Sequence, residues 1–240
     1  MDLTRLQPAQ KKARKILIKV SYRRRLPHLG SSLSSIDIID AIYRIKTKSE
    51  RFVLSNGHAA MALYAVLHTR GIITLADIEK LHTHPDRNTD LGIEVSTGSL
   101  GQGLPIALGM ALADGTRRVF CVISDGECAE GSIWESFKVL SDKKISNLIT
   151  VVNANGWGAY DPVSLPELSR RIRGFGFKVL KTDGHNTNAL ITAIQTAGNN
   201  GPSVIFAKTN VGQFPFLKDQ DAHYYVMNES DYALAMNILK

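Results

Sequence analysis

Two short apolar runs stand out in the hydrophobic pattern of the chain, residues 119–123 and residues 148–152. A strand buried on both faces of a sheet needs such an unbroken run. The first stops abruptly at Asp125-Gly126, and the second leads into a polar turn that closes on Asn155, with a helical stretch between them. A parallel pair joined by a helix carries both carboxyl ends to one edge of the sheet, so Asp125 and Asn155 are predicted to meet there.

The remaining pattern alternates in the same way. Helical spacing covers residues 6–22 and breaks at Pro27. Ser31-Ser-Leu-Ser-Ser35 offers N-caps for a helix over residues 36–45, with Asp37 and Asp40 near the favourable end of its dipole. A strand over residues 51–54 meets Ser55-Asn-Gly-His58 and an alanine- and leucine-rich helix that stops at Gly71. Thr74 caps a helix over residues 75–81, and residues 82–92 form a polar loop with no periodicity, a kind of segment that commonly carries function. A glycine-rich run, residues 92–103, opens a helix over residues 104–113. Beyond the central unit the pattern gives a helix over residues 165–176 with a glycine stop, a strand at 177–180, a helix at 189–197 and a strand at 202–209. An irregular tail, residues 211–225, precedes a last helix at 229–239. This predicts an α/β fold, a mostly parallel sheet flanked by helices on both faces, in a single domain over residues 1–240.

Composition changes this picture little. The hydrophobic fraction of 44% is ordinary, and the net charge of +7 is concentrated early, in Lys11, Lys12, Arg14, Lys15, Lys19, Arg23, Arg24 and Arg25. No aromatic or glycine-rich turn interleaves with these charges, so they read as a solvated helix face and not as a nucleic-acid site. Cys121 falls inside a strand and Cys128 just after the Asp-Gly turn, without metal spacing, which suggests a reducing compartment and no disulfide framework. The polar amino terminus is unlike a signal peptide and no apolar run reaches the length of a membrane span, so a cytoplasmic protein with no membrane partner is expected.

Candidate chemistry concentrates at the predicted sheet edge. A carboxylate and an amide oxygen converging there suit a hard divalent cation that takes its other ligands from water and phosphates, although Asp-Gly taken alone reads as an ordinary turn. His58 lies at a strand-to-helix turn, where ligands of α/β sheets sit. Four glycines in residues 92–103 allow close backbone approach to a ligand ahead of a helix N-terminus, but there is no Walker lysine and no strict dinucleotide fingerprint.

Asp125-Gly-Glu-Cys-Ala-Glu-Gly131 followed by Asn155 resembles the thiamine diphosphate motif. Leu26-Pro-His-Leu-Gly-Ser-Ser-Leu-Ser34, Arg51-Phe-Val-Leu-Ser-Asn-Gly-His-Ala59 and the run from Gly92 to Gly103 are similar to segments of transketolases, in the same order and with similar gaps. The resemblance covers nearly the whole chain and corresponds to the first, diphosphate-binding domain of that family's three. It implies thiamine diphosphate with Mg2+, or another divalent cation such as Ca2+ or Mn2+, held by Asp125, Asn155 and the backbone carbonyl of Trp157. It further implies that His58 and His223 lie near the diphosphate and the reacting centre, and that His28 and His84 contact the donor end of the substrate. Gly98 would accept from the aminopyrimidine, Ser99, Leu100, Gly126 and Glu127 would complete the cofactor contacts, and Glu130 would couple two active sites across a dimer. His68 and His82 read as packed or exposed residues, and His185 as at most a helix cap.

In this family the pyrimidine-binding domain supplies the glutamate that activates the cofactor, and with a third domain it holds the sugar phosphate. Neither is represented, so the resemblance implies the amino-terminal subunit of a split transketolase. With a partner subunit carrying the pyrimidine-binding domain, as a dimer of heterodimers, it would move a two-carbon ketol unit from a ketose phosphate to an aldose phosphate, as in the pentose phosphate pathway. Three departures bear on the donor: Ser124 where glycine is usual, Asn210-Val-Gly-Gln-Phe214 in place of a more basic run, and Ala222 where a larger residue is frequent. Alternatives are a deoxyxylulose-phosphate synthase-like enzyme, a transketolase of modified sugars, or a non-catalytic homologue with binding or regulatory function.

Overall fold

The two apolar runs pair in parallel at the centre of a five-stranded sheet, with Phe120 opposite Ile149 and Ser124 opposite Asn153. The structure is a computed structural model that describes residue 3, residues 6–198 and residues 201–240. Its strands are β1 (Arg51–Leu54), β2 (Val119–Ser124), β3 (Leu148–Ala154), β4 (Lys178–Asp183) and β5 (Ser203–Lys208), in the spatial order β1-β2-β3-β5-β4, and every pairing is parallel. β2 and β3 are buried along their whole length, as their unbroken apolar runs require. β4 is an edge strand, and its exposed Lys178, Lys181 and Asp183 discourage further pairing.

Helices cover both faces. On one lie α1 (Pro8–Arg23), α2 (Leu29–Ile45), α3 (Ala60–Thr69), the short α4 (Leu75–Lys80), α8 (Thr187–Thr196) and α9 (Glu229–Ile238), packed into one apolar cluster with Phe120, Ile149 and Ile205. On the other lie α5 (Gly103–Ala113), α6 (Gly131–Asp142) and α7 (Leu165–Gly174), packed with Cys121, Val152 and Phe206. The architecture is therefore the doubly covered parallel sheet that the sequence implies. Thr74 closes a capping box with Asp77, and Gly71 leaves α3 at φ 71°, as read from the sequence.

One element differs substantially. α2 starts at Leu29, seven residues before the expected helix, and the serines at 31, 32, 34 and 35 are buried inside it and do not cap it. Two of these hydroxyls find partners at the sheet instead of at a helix start. Asn153 Nδ2 donates to Ser34 Oγ at 2.8 Å and Ser35 Oγ at 2.9 Å, and Asn56 Nδ2 donates to Ser35 Oγ at 3.1 Å. These small polar side chains let α2 approach the carboxyl ends of β1 and β3 while accepting from the buried Asn56 and Asn153 amides. The solvated-face reading of the basic residues also needs one correction: Arg14 is fully buried and paired with Asp37.

Both cysteines are buried and free, and among the described residues no helix is long and apolar enough to cross a membrane. The start of α5 fits closely against the end of β1: a Cβ on Gly103 would lie 2.4 Å from Ser55 Cα. Gly103→Ala is expected to destabilise the chain by about 2–3 kcal/mol, because backbone must move to admit the methyl group. Gly109 of the same helix has nothing within 4 Å, so Gly109→Ala should leave stability unchanged or raise it by up to about 1 kcal/mol. Denaturant midpoints of the two variants check both.

Candidate active site at the carboxyl edge of the sheet

β1 and β2 are neighbours, yet the chain leaves them toward opposite faces: β1 leads to α3 and β2 leads to α6. The divergence opens a crevice outside their carboxyl ends, the usual place for a ligand in such sheets. The turn after β1 supplies His58, the turn after β2 supplies Asp125 and Gly126, and the turn after β3 supplies Asn155 and Trp157. Three further segments close in, the His28 turn before α2, the polar loop carrying His84, and the tail carrying His223 and Tyr224.

The four matched histidines come together in a cavity of about 170 Å³. The ring of His28 lies 5.4 Å from His58, 6.1 Å from His84 and 6.0 Å from Tyr224, and His58 lies 6.2 Å from His223. His28 adopts φ 64°, and its amide donates to the His223 carbonyl at 2.9 Å, so the first and last of these segments are fastened together. Burial, reinforced by the charges His84 and His223 would carry, lowers His28 to about 4 despite its backbone bond to His223. Burial, with His28, His223 and His84 adding to it, lowers His58 to about 3, and burial also lowers His223. These three rings are therefore neutral at pH 7. His28 Nδ1 and His223 Nδ1 are buried and unpartnered, two polar atoms turned to no protein group.

Asp125 is 1% exposed, and its carboxylate accepts from the amides of Gly156 at 2.6 Å and Gly126 at 3.1 Å. Burial lifts its carboxyl to about 7 against those bonds, since no cation among the described residues accompanies it. Asn155 Oδ1 accepts from the Trp157 amide at 2.9 Å, and the Trp157 carbonyl oxygen lies 3.4 Å from where a Gly126 Cβ would stand. A Cβ on Gly126 would also approach Gly158 Cα to 2.9 Å, so only glycine leaves this turn open. Among the described residues no group of three or more His, Cys, Asp or Glu is placed to hold a metal ion. A cation at this turn would thus depend on one carboxylate, amide and carbonyl oxygens, and oxygens of its ligand. An uncompensated buried carboxylate beside an open glycine turn fits that requirement.

Gly98 has φ 143°, and a Cβ there would lie 2.7 Å from the His84 ring, so glycine seats that histidine against the glycine-rich run. Leu100 lines the histidine cavity, whereas Ser99 lies outside its lining. Glu130 lies in an adjoining groove with Leu100 and Trp134 and packs on Gly101. Glu127 faces inward. It is fully buried, and its carboxylate accepts from Ser55 Oγ at 2.6 Å, the Gly101 amide at 3.0 Å and the Ser124 amide at 2.9 Å. It braces the crevice and does not line it. A wider open cleft of about 1230 Å³ lies over the ends of β4 and β5, with Lys181, Lys208 and His185, and meets the site region at Gly156.

Sequence reasoning missed Tyr224 and the Gly158-Ala159 pair, which line the histidine cavity. Gln220 Nε2 donates to the carbonyls of Gly158 at 2.9 Å and Ala159 at 2.8 Å, tying the tail to the turn after β3. Such contacts between residues more than 60 positions apart leave no periodicity; the available signals were adjacency to His223 for Tyr224 and to Trp157 for Gly158.

The lowered histidines predict acid sensitivity. The unfolded chain protonates His28 and His58 near 6.5, the folded chain only near about 4 and about 3. Between those values the unfolded state binds more protons, so stability is complete above pH 6.5 and is lost as pH falls toward 4, by about 3 kcal/mol for each ring. Urea unfolding at stepped pH checks this, and His58→Asn should weaken the dependence.

The sequence profile of the transketolase, thiamine diphosphate binding domain family matches residues 28–237. The chain belongs to the transketolase family. It is 30% identical over 240 residues to one subunit of the apulose-4-phosphate transketolase of Phocaeicola vulgatus, covering 89% of this chain and 85% of that one. It is 32% identical over 213 residues to the 6-deoxy-6-sulfo-D-fructose transketolase subunit SqwG of a Clostridium species, covering 78% of each. Against the bovine transketolase-like protein 2 the identity is 38% over 192 residues, 72% of this chain but 30% of that protein's length. The solved transketolase of Campylobacter jejuni superposes with a TM-score of 0.85 at 25% identity, over 98% of this chain and 43% of that one.

Proposed function

We propose that this chain is the diphosphate-binding subunit of a two-chain transketolase, which moves a two-carbon ketol unit from a ketose to an aldose acceptor. The observation that carries the reading is the convergence of four histidines, three of them held neutral, beside the buried Asp125 and the open Gly126 turn. Support for a separate partner comes from relatives of similar length that are named as subunits.

In this reading Asp125, the Asn155 side chain and the Trp157 carbonyl hold Mg2+ or a similar cation, and the absent side chain of Gly126 lets its backbone approach the diphosphate. Thiamine diphosphate, when bound, supplies the electron sink for breaking and forming the carbon–carbon bond. Gly98 offers its carbonyl to the aminopyrimidine, and Leu100 packs on the ring system. His58 and His223 stand near the reacting centre, while His28 and His84 move or hold protons on donor oxygens, work suited to imidazole side chains. Glu127 acts by holding Gly101 in place, Ser99 adds to the cofactor contacts of the glycine-rich run, and Glu130 couples two sites. The partner supplies the pyrimidine-binding domain and the cofactor-activating group, in a dimer of heterodimers, and free buried cysteines suit a cytoplasmic setting.

Modified sugars rank ahead of the common ketose phosphates as donors. Relatives named for apulose-4-phosphate and 6-deoxy-6-sulfo-D-fructose cover most of this chain, and its Asn210-Val-Gly-Gln-Phe214 run lacks positive charge. The test is reconstitution with a candidate partner chain, thiamine diphosphate and Mg2+ across a panel of ketose donors. Ketol transfer is expected only when both chains are present. Robust transfer by this chain alone would refute the two-chain reading. Absence of metal-dependent cofactor binding by the assembled pair would refute the catalytic one.

A further inference from the structure

Asp183-Gly-His-Asn186 and the buried Arg14 lie outside the histidine cavity, yet they join in one polar network. Arg14 places Nη1 2.9 Å and Nη2 2.5 Å from the two carboxylate oxygens of Asp37, and its Nε donates to Gln213 Oε1 at 3.0 Å. Burial opposes ionisation of Asp37, but the charge and hydrogen bonds of Arg14, with the hydrogen bond from His185, hold its carboxyl well below the usual range. His185 Nδ1 lies 2.9 Å from Asp37 Oδ2, and its Nε2 accepts from the Asn210 amide at 3.0 Å. An amide N–H can only donate, so Nε2 carries no proton, and the ring proton sits on Nδ1, pointed at the carboxylate. Gln10 fixes the same residue from behind, donating to the His185 carbonyl at 3.1 Å.

Asn210 begins the loop that follows β5. Gln213 Nε2 returns from that loop to the Leu33 carbonyl at 2.8 Å, and Val211 packs where α2 starts. A Cβ on Gly30 would lie 2.7 Å from Ala222 Cβ and 3.2 Å from Val211 Cβ, so three segments meet there with no slack. Two residues before Gly30 is His28, and one after Ala222 is His223, the pair joined by their backbone bond.

We propose that His185 is a positioning residue for the histidine cavity: Asp37 fixes its tautomer, its Nε2 holds the Asn210 amide, and the loop so held sets the placement of His28 and His223. The network reaches α1, giving the fully buried Arg14 a task that a solvated basic face would not need. The inference concerns geometry within this chain and stands whether or not the transfer reaction proposed above is correct.

The test uses the whole chain with isotope-labelled histidine and amide positions. At neutral pH the nitrogen shifts of His185 should show a protonated Nδ1 and an acceptor Nε2. Glutamine can present an oxygen near the Nε2 position and asparagine cannot. In His185→Asn the Asn210 amide should therefore exchange roughly tenfold faster or more, with displaced ring resonances of His28 and His223. In His185→Gln both readouts should return toward wild type. A wild-type ring protonated on Nε2 would overturn the proposal, as would His28 and His223 signals unmoved once Asn210 is released. If His185→Asn does not fold, the wild-type tautomer and the glutamine variant still decide between the outcomes.

Discussion

Asp125→Ala is expected to lower the affinity for thiamine diphosphate with Mg2+ by about a hundredfold or more, while the chain without cofactor stays folded. The magnitude follows from removing the one carboxylate among the proposed cation ligands, where the remaining oxygens are neutral. The sign of the stability effect is less intuitive. Asp125 is buried with no cation beside it among the described residues, and two amide bonds only partly offset its desolvation. Alanine removes that unfavourable charge and strands the Gly126 and Gly156 amides in exchange, so the two changes roughly cancel. Stability of the unliganded chain should move by no more than about 1 kcal/mol in either direction. Calorimetric titration with and without Mg2+, alongside denaturant unfolding, separates the two quantities. Unchanged affinity would mean that the diphosphate is held elsewhere.

That expected opposition between binding and stability would distinguish a site from an ordinary Asp-Gly turn. From the sequence the dipeptide could be read either way, and the structure adds the burial, the missing counter-charge and the Trp157 carbonyl nearby. The central βαβ unit was fully legible because its strands are buried on both faces and so carry unbroken apolar runs. β4 was harder to bound, since an edge strand mixes lysine and aspartate into its pattern. The serines of α2 misled for a definite reason: a hydroxyl that hydrogen-bonds across the fold has the same local sequence as one that caps a helix. His58 was singled out by its strand-to-helix turn, and His28, His84 and His223 only through motif resemblance. Nothing in local spacing brings together residues from four separate segments, and Tyr224, which had no motif, was missed. His185 shows the complementary limit, because its partners Asp37 and Asn210 are distant in sequence and only the fold joins them.

Glu127→Ala is expected to be the most damaging single change to the fold around the site, costing about 3–5 kcal/mol. Its carboxylate is the common acceptor for donors from three segments, Ser55 after β1, Ser124 at the end of β2, and Gly101 in the glycine-rich run. Removing it leaves three buried donors without an acceptor and opens a void where no water can satisfy all of them in the original geometry. Glu127→Gln should be milder, about 1–3 kcal/mol, because one amide oxygen still accepts while the new N–H2 group opposes a donor. The two variants also make a functional distinction. Gly101 packs against Glu130 and lies three residues from Gly98, so releasing it should loosen both the wall of the histidine cavity and the adjoining groove. Cofactor affinity should then fall in proportion to the lost stability of the glycine-rich run, read as faster amide exchange over residues 98–103. Were Glu127 a direct cofactor contact, the glutamine variant would lose affinity with that exchange unchanged.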